Sequence, residues 1–206
     1  MYKIWVDEAG RWPWAWWVTA CALTFNPKNM PDKNFLKQIW DSKKISEKKR
    51  EKLFEQLIEK SLWKNPQLFF WVWIVDNFII DEINIRQANR EAMRRAILEL
   101  SRKINLKDIE VLIDWRDNYD FDELKEKPTY IVWGDWKIPE IWAASIIAKV
   151  FRDKILLQYA TLYPDLGIEN HKWYWTKKHR ENLTKKSEIT WIHRLSYKPV
   201  KNILEK

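Results

Sequence analysis

The stretch YKIWVDEAGRWPWAWWVTACALTF, residues 2–25, contains the residues from which both the fold and the candidate site can be argued. Residues 2–7 form a β-rich run that ends in acid, and residues 17–25 form a second β-rich run. The turn between them predicts that the two runs pair as a hairpin, with Asp7 and Glu8 at the end of the first strand. Tryptophans occupy positions 12, 14, 16 and 17, where a tight turn needs small and flexible residues.

The composition is typical of one cytoplasmic domain with a polyanionic partner. With 206 residues, 46% of them hydrophobic, the chain can bury one core, so we expect a single domain over residues 1–206 with a basic C-terminal region from about residue 165. The formal charge of +8 and the pI near 9.4 favour nucleic acid as the partner. The single cysteine, Cys21, excludes an internal disulfide and fits a reducing cytosol. Neither a signal pattern nor an apolar run of about 18 residues is present, so we expect no membrane partner.

Hydrophobic spacing along the rest of the chain predicts a mixture of strands and helices. A helix should follow Ser46 as its N-cap, and apolar residues at three- and four-residue spacing predict another helix over residues 84–103. Pro139 suits the first turn of a helix that runs to about Tyr163. Further β-rich runs cover residues 69–76, 109–114 and 129–135. This order predicts an α/β fold with a mixed central sheet, flanking helices and a C-terminal helical extension.

Three of the predicted strands end in acidic residues, namely Asp7 with Glu8, Asp114, and Asp135. Functional groups of open α/β sheets gather at strand ends, so we expect these four carboxylates to share one pocket. Carboxylates at close range repel one another, and the hard divalent cations Mg²⁺ or Mn²⁺ relieve that repulsion. In a basic protein this pattern favours two-metal phosphodiester chemistry. The alternative is that each acid is only a solvated strand terminus.

Several longer motifs, which together cover almost the whole chain, resemble those of ribonuclease HII. They are DEAGR (7–11), DSKKIS (41–46), IDEINIRQANREAMRRAI (80–97), VLID (111–114), GDWKIPEIWAASIIAKVFRD (134–153), HKWYWTKKH (171–179) and HRLSYKPV (193–200). They occur in the order that the family has. The resemblance implies a ribonuclease H-like fold. It also implies endonucleolytic cleavage of RNA in RNA–DNA hybrids and of single ribonucleotides embedded in duplex DNA.

The resemblance implies which carboxylates bind metal. Matched by position, they are Asp7, Glu8, Asp114 and Asp135, which would hold two Mn²⁺ or Mg²⁺ ions. Asp153 lies in a matching motif and is the rival for the fourth place. We prefer Asp135 because it ends a predicted strand, and we expect Asp153 to form a salt bridge on a helix surface.

The resemblance also implies how the substrate is held. Gly10, Arg11 and Trp12 stand where the family has Gly-Arg-Gly, whose backbone groups recognise the 2′-hydroxyl that distinguishes RNA from DNA. Ser42 and Lys43 are expected to contact backbone phosphates. Tyr174 matches the family tyrosine that packs on the sugar at the RNA–DNA junction. We expect a monomer that leaves 5′-phosphate and 3′-hydroxyl ends.

The tryptophans coincide with glycine positions of the family. The chain has 3 glycines and 16 tryptophans, whereas typical usage of about 7% would give roughly 14 glycines. Tryptophans stand at glycine or glycine-like slots at Trp5, Trp12, Trp16, Trp71, Trp73, Trp115, Trp133, Trp173 and Trp175, whereas Trp14 and Trp17 match less well. Such slots often need a positive φ or a close backbone approach. We infer that most of these tryptophans are UGA codons that the organism reads as glycine, since UGA is one base from a glycine codon and from the tryptophan codon.

The rival interpretation is that the tryptophans are real and stack on bases, as in single-strand binders. The chain would then be a non-catalytic nucleic-acid-binding protein of the same fold. The tryptophans occur in strand and turn contexts with no common face, which disfavours a binding platform. Core filling is disfavoured as well, because a core of this size could hardly pack sixteen indoles at native density.

The intact mass of the protein purified from its own organism tests the decoding hypothesis. We expect a mass well below that of the tryptophan-rich formula, because each glycine replaces an indole side chain by hydrogen. A mass that equals the tryptophan-rich formula would show that the tryptophans are real.

Overall fold

The structure is a computed structural model that describes residues 2–40, 46–62, 64–104, 108–116, 118–162 and 191–205. The strands are β1 (Tyr2–Ala9), β2 (Val18–Phe25), β3 (Leu68–Val75), β4 (Ile109–Ile113) and β5 (Thr129–Tyr130). The helices are α1 (Lys33–Trp40), α2 (Glu47–Leu62), α3 (Asn77–Lys103), α4 (Pro139–Leu162) and α5 (Lys198–Leu204), with a short 3₁₀ helix over Gly134–Trp136. Within these ranges, no helix is both long enough and apolar enough to cross a bilayer.

The strands form one mixed sheet in the order β3-β2-β1-β4-β5. β1 pairs antiparallel with β2, and β2 pairs antiparallel with β3, so the predicted hairpin is confirmed. β4 lies on the other side of β1 and runs parallel to it, and β5 runs parallel to β4. The expected mixed sheet flanked by helices is therefore present.

The sheet lies between two helical layers because its central strand is apolar on both faces. On β1, Ile4 and Val6 pack in the cluster that includes the apolar residues of α3. Trp5, which points to the opposite face, packs in the cluster built with α1, α2 and α4. A strand buried on both faces reads as a near-continuous apolar run, as the first residues of this chain do.

The predicted helices are present, with one difference in extent. α2 begins directly after Ser46, and α4 begins at Pro139, as the sequence indicates. The helix predicted over residues 84–103 is the longer part of α3, which begins seven residues earlier, at Asn77. Asn84 interrupts α3 with φ 66° and ψ 161°, and its side chain accepts hydrogen bonds from the N–H groups that open the second part.

The prediction of a strand over residues 129–135 is wrong beyond Tyr130. Strand pairing ends there, and the chain turns, with the N–H of Gly134 donating to the carbonyl of Ile131 at 3.0 Å. Trp133 lies in the left-handed region, with φ 60° and ψ 40°, and caps the 3₁₀ helix that follows. A strand cannot continue through this backbone conformation, so Asp135 belongs to the 3₁₀ helix and does not end a strand.

Two tryptophans at glycine slots have the backbone conformation that favours glycine. Trp16 has φ 63° and Trp133 has φ 60°, whereas an L-residue with a β-carbon pays about 1–2 kcal/mol in this region. Trp16 is buried against Trp17 and Tyr159, so its indole contacts offset part of this strain. Trp133 is 57% exposed and gains less from packing.

Replacing Trp133 by glycine should raise the free energy of unfolding by about 0.5 kcal/mol, because relief of the left-handed strain exceeds the loss of a mostly exposed side chain. Trp136→Gly is the matched control, since Trp136 is 53% exposed and lies outside the left-handed region. That control should lower the free energy of unfolding by about 1 kcal/mol. Equal destabilisation of both variants in urea titrations would contradict the assignment of strain to position 133.

Candidate active site

Two parallel neighbouring strands bring the first carboxylates together. β1 and β4 pair with Val6 opposite Ile113, and the N–H of Asp114 donates to the carbonyl of Val6 at 3.0 Å. Asp7 and Asp114 are the next residues along the two strands, so they meet at the same edge of the sheet. Glu8 follows on β1. The structure thus brings Asp7, Glu8 and Asp114 to the same end of the sheet, and their role as metal ligands stays a prediction.

Asp135 reaches this edge from the 3₁₀ helix. Its backbone N–H donates to Asp114 Oδ2 at 2.8 Å. Gly134 allows the approach, because a β-carbon there would lie 2.7 Å from Ile141 Cδ1 and 3.5 Å from Asp114 Cβ. The fourth candidate residue is therefore next to the third, although it does not lie on a strand.

The Asp7 carboxylate is buried among like charges. Asp7 is 7% exposed, and burial raises its pKa well above the usual value, with further increases from Glu8 and Asp114. Hydrogen bonds from the Ser145 hydroxyl on α4 and from the Glu8 N–H, the latter 2.7 Å long, lower the pKa and reduce this effect. These two donors also orient the carboxylate.

Glu8 is under a similar constraint. Burial raises the pKa of Glu8 to about 8; the positive charge of Arg11 acts against this increase, and Asp114 adds to it. The buried Glu8 Oε2 atom has no hydrogen-bond partner among the described residues. A buried carboxylate oxygen without a partner is costly, and a cation is the ligand that would satisfy it.

The donor chemistry fits a hard divalent cation. In the described part of the chain, no three Asp, Glu, His or Cys side chains stand in a ready arrangement for holding a metal ion. What supports a fit is the combination of oxygen donors, mutual repulsion between Asp7, Glu8 and Asp114, and the unpartnered Oε2 of Glu8. A bound cation would reverse the electrostatics that now favour protonated carboxylates.

The Gly-Arg-Trp motif directly follows β1. Gly10 has φ 90°, and a β-carbon there would lie 2.5 Å from Arg152 Nε and 2.8 Å from the Trp17 carbonyl oxygen, so the position requires glycine. The Arg11 guanidinium lies 4.2 Å from the ring centroid of Trp115 and 5.3 Å from that of Trp12. Trp12 itself is 75% exposed, which is how the fold accommodates an indole at this position.

Asp153 lies on α4 and is engaged in ion pairs. Its carboxylate contacts Lys149 Nζ at 2.9 Å and Arg152 Nη1 at 3.2 Å. The expected salt bridge is present, but its surface location is wrong, because Asp153 is only 7% exposed and Arg152 is fully buried. The preference for Asp135 as the fourth metal-binding carboxylate stays a prediction.

The candidate substrate residues Ser42, Lys43 and Tyr174 lie outside the described residues.

Sequence reasoning gave no role to two residues that the structure connects to the site. Ser145 is the polar residue within the apolar run AASIIA, and this isolated hydroxyl was the available signal. Arg194 lies in HRLSYKPV, a motif that carried the resemblance without an assigned role. Its hydrogen bonds to residues 10–17 span about the whole chain, and no local pattern reveals them.

Comparison with known proteins identifies the family of this chain. The family model described as ribonuclease HII matches residues 4–200. The ribonuclease HII of Endomicrobium trichonymphae is 45% identical over 199 residues, covering 97% of this chain and 86% of that protein. The ribonuclease HII of Francisella tularensis subsp. mediasiatica is 40% identical over 204 residues, covering 97% of this chain and 96% of that protein. The chain therefore belongs to the ribonuclease HII family, and it is an enzyme of the nuclease and hydrolase class that acts on nucleic acid.

Solved structures support the same fold. The crystal structure of ribonuclease H2 from Pyrococcus horikoshii OT3 matches with a TM-score of 0.76 and 25% identity, covering 100% of this chain and 98% of that one. A ribonuclease HIII structure in complex with Mn²⁺ matches with a TM-score of 0.76 at 14% identity, covering 100% of this chain and 70% of that one. The second likeness shows the fold alone. The predicted ribonuclease H-like fold is confirmed.

Proposed function

We propose that this chain hydrolyses the RNA strand of RNA–DNA hybrids and cleaves duplex DNA on the 5′ side of single embedded ribonucleotides, leaving 5′-phosphate and 3′-hydroxyl ends. The observation that carries the proposal is the placement of Asp7, which is buried, beside the half-buried Glu8 and Asp114 at the ends of two parallel strands. The net charge of +8 supports a polyanionic substrate. We also propose that the protein works as a monomer in the cytoplasm.

The metal-holding residues in this proposal are Asp7, Glu8, Asp114 and Asp135. Divalent ions, Mn²⁺ or Mg²⁺, would supply activation of the attacking water and stabilisation of the leaving 3′ oxygen when bound. The chain's own contribution is orientation. Ser145 and the Glu8 N–H hold the Asp7 carboxylate, and the Asp135 N–H holds that of Asp114.

Recognition of the ribonucleotide is assigned to the segment after β1. In the proposal, backbone groups of Gly10, Arg11 and Trp12 contact the 2′-hydroxyl, the local group that separates RNA from DNA. Ser42 and Lys43 contact phosphates, which fix the register of the duplex without reading sequence. Tyr174 packs on the sugar at the junction.

Asp7→Asn tests the catalytic assignment. The variant should abolish cleavage of a duplex with one embedded ribonucleotide in Mg²⁺ or Mn²⁺, because it removes a carboxylate from the metal-holding group. Duplex binding should survive, since it rests mainly on phosphate contacts. Asp122→Asn, which changes an exposed aspartate in the same way, should cleave like the parent chain. Undiminished cleavage by Asp7→Asn would refute the site.

The same assay separates the enzyme from the non-catalytic alternative. The chain with all its tryptophans and its Trp12→Gly variant should be assayed in parallel, because an exposed indole at position 12 would crowd the approach of the ribose. We expect Trp12→Gly to cleave faster. Binding without cleavage by both chains would favour the nucleic-acid-binding alternative.

A further inference from the structure

The buried guanidinium of Arg194 donates hydrogen bonds to most of the carbonyl groups of the β1–β2 loop (residues 10–17). Arg194 is fully buried. It donates hydrogen bonds to the carbonyl oxygens of Gly10 (2.6 Å), Arg11 (2.9 Å), Pro13 (2.8 Å), Trp16 (2.9 Å) and Trp17 (3.0 Å). A guanidinium has five N–H donors in a rigid fork, whereas a lysine ammonium is a compact charge with three. Arginine is therefore the side chain suited to hold this loop.

The direction of these carbonyls fixes the direction of two N–H groups. In a planar trans peptide the C=O and the N–H of one unit point in opposite directions, and the described chain contains no cis peptide bond. Since the carbonyls of Gly10 and Arg11 point to Arg194, the N–H groups of Arg11 and Trp12 point away from it. Neither N–H has an acceptor among the described residues. The loop thus presents two adjacent backbone donors, whatever side chain stands at position 12.

Arg194 is itself held in place from α3. The carboxylate of Asp81 accepts hydrogen bonds from the N–H of Leu195 (2.8 Å) and from the N–H (2.8 Å) and hydroxyl (2.6 Å) of Ser196. The side-chain amide of Asn77 donates to the carbonyl of Trp191 at 2.8 Å. The turn that carries Arg194 is therefore fixed on α3.

The burial of the Arg194 guanidinium has an electrostatic cost. Burial lowers the pKa of Arg194 to about 10, and the loop offers it only neutral carbonyl dipoles. Removing a charged guanidinium from water costs several kcal/mol of folding free energy, which its hydrogen bonds must offset. Such a residue therefore adds little to stability by itself. Tyr197 adds to the same network, because its hydroxyl accepts from Arg194 and donates to the Arg11 carbonyl, both at 2.9 Å.

We propose that Arg194, anchored by Asp81, is the positioning residue that aims the Arg11 and Trp12 N–H groups at the ribose 2′-hydroxyl. This inference rests on the proposed function, because it concerns how that function distinguishes RNA from DNA. Arg194 does not touch the reacting atoms. It acts by holding the β1–β2 loop in the one shape that leaves both donors outward.

The test is a discrimination ratio, measured in the Asp7→Asn background so that binding is not followed by cleavage. Dissociation constants are determined for a duplex with one embedded ribonucleotide and for the all-DNA duplex of the same sequence. Arg194→Lys and Asp81→Asn should each reduce the preference for the ribonucleotide by about five- to tenfold, the value of one or two misaligned hydrogen bonds. Affinity for the all-DNA duplex should stay within about twofold, because phosphate contacts supply it.

Glu82→Gln is the matched control, since Glu82 is an exposed acid next to Asp81 on α3, and it should keep the full preference. A merely structural role would lower both affinities together through a smaller folded fraction and leave the ratio unchanged. If Arg194→Lys does not fold, Asp81→Asn decides. If the parent chain prefers the ribonucleotide duplex and the folded Asp81→Asn variant shows the same ratio of dissociation constants, the role of Asp81 as the anchor of Arg194 is wrong. A parent chain without discrimination would instead contradict the proposed function, and this inference with it.

Discussion

The parallel pairing of β1 with β4 is the constraint on which the site depends. It sets Val6 opposite Ile113, so the residues that follow on each strand, Asp7 and Asp114, meet at one edge of the sheet. Asp7 is buried at the end of the central strand, whereas Asp114 is half-buried. Burial raises the pKa of Asp7, and repulsion from Glu8 and Asp114 raises it further, which is why we propose a cation as the partner of the cluster.

The parts that could be predicted from the sequence are those in which local pattern and burial agree. Apolar runs that end in acid predicted β1 and β4, helical spacing predicted α2 and the longer part of α3, and Pro139 predicted the start of α4. The end of β5 was misjudged although Trp133 stands at a glycine-like slot, because the strand prediction followed the β-rich letters and did not use the left-handed turn that a glycine would favour there. The opening turns of α3 were missed because the pattern restarts after the irregular backbone of Asn84.

The role of Arg194 could not be predicted from the sequence for another reason. Arg194 bonds to carbonyl oxygens 177 to 184 residues away, and a carbonyl looks the same at every position of a sequence. Only the fold shows which carbonyls share one guanidinium. Trp12 illustrates the same limit of sequence reasoning. In the proposed recognition the backbone of the loop contacts the ribose, and the exposed side chain of Trp12 does not disturb the loop that carries it.

The central claim is that the buried carboxylates form a divalent-cation site, and direct Mn²⁺ binding tests it without reference to activity. Electron paramagnetic resonance follows the loss of the free Mn²⁺ signal as protein is added. We predict that the parent chain and Asp122→Asn deplete the signal equally, and that Asp114→Asn depletes it far less. Equal depletion by Asp114→Asn, or no depletion by the parent chain, would contradict it.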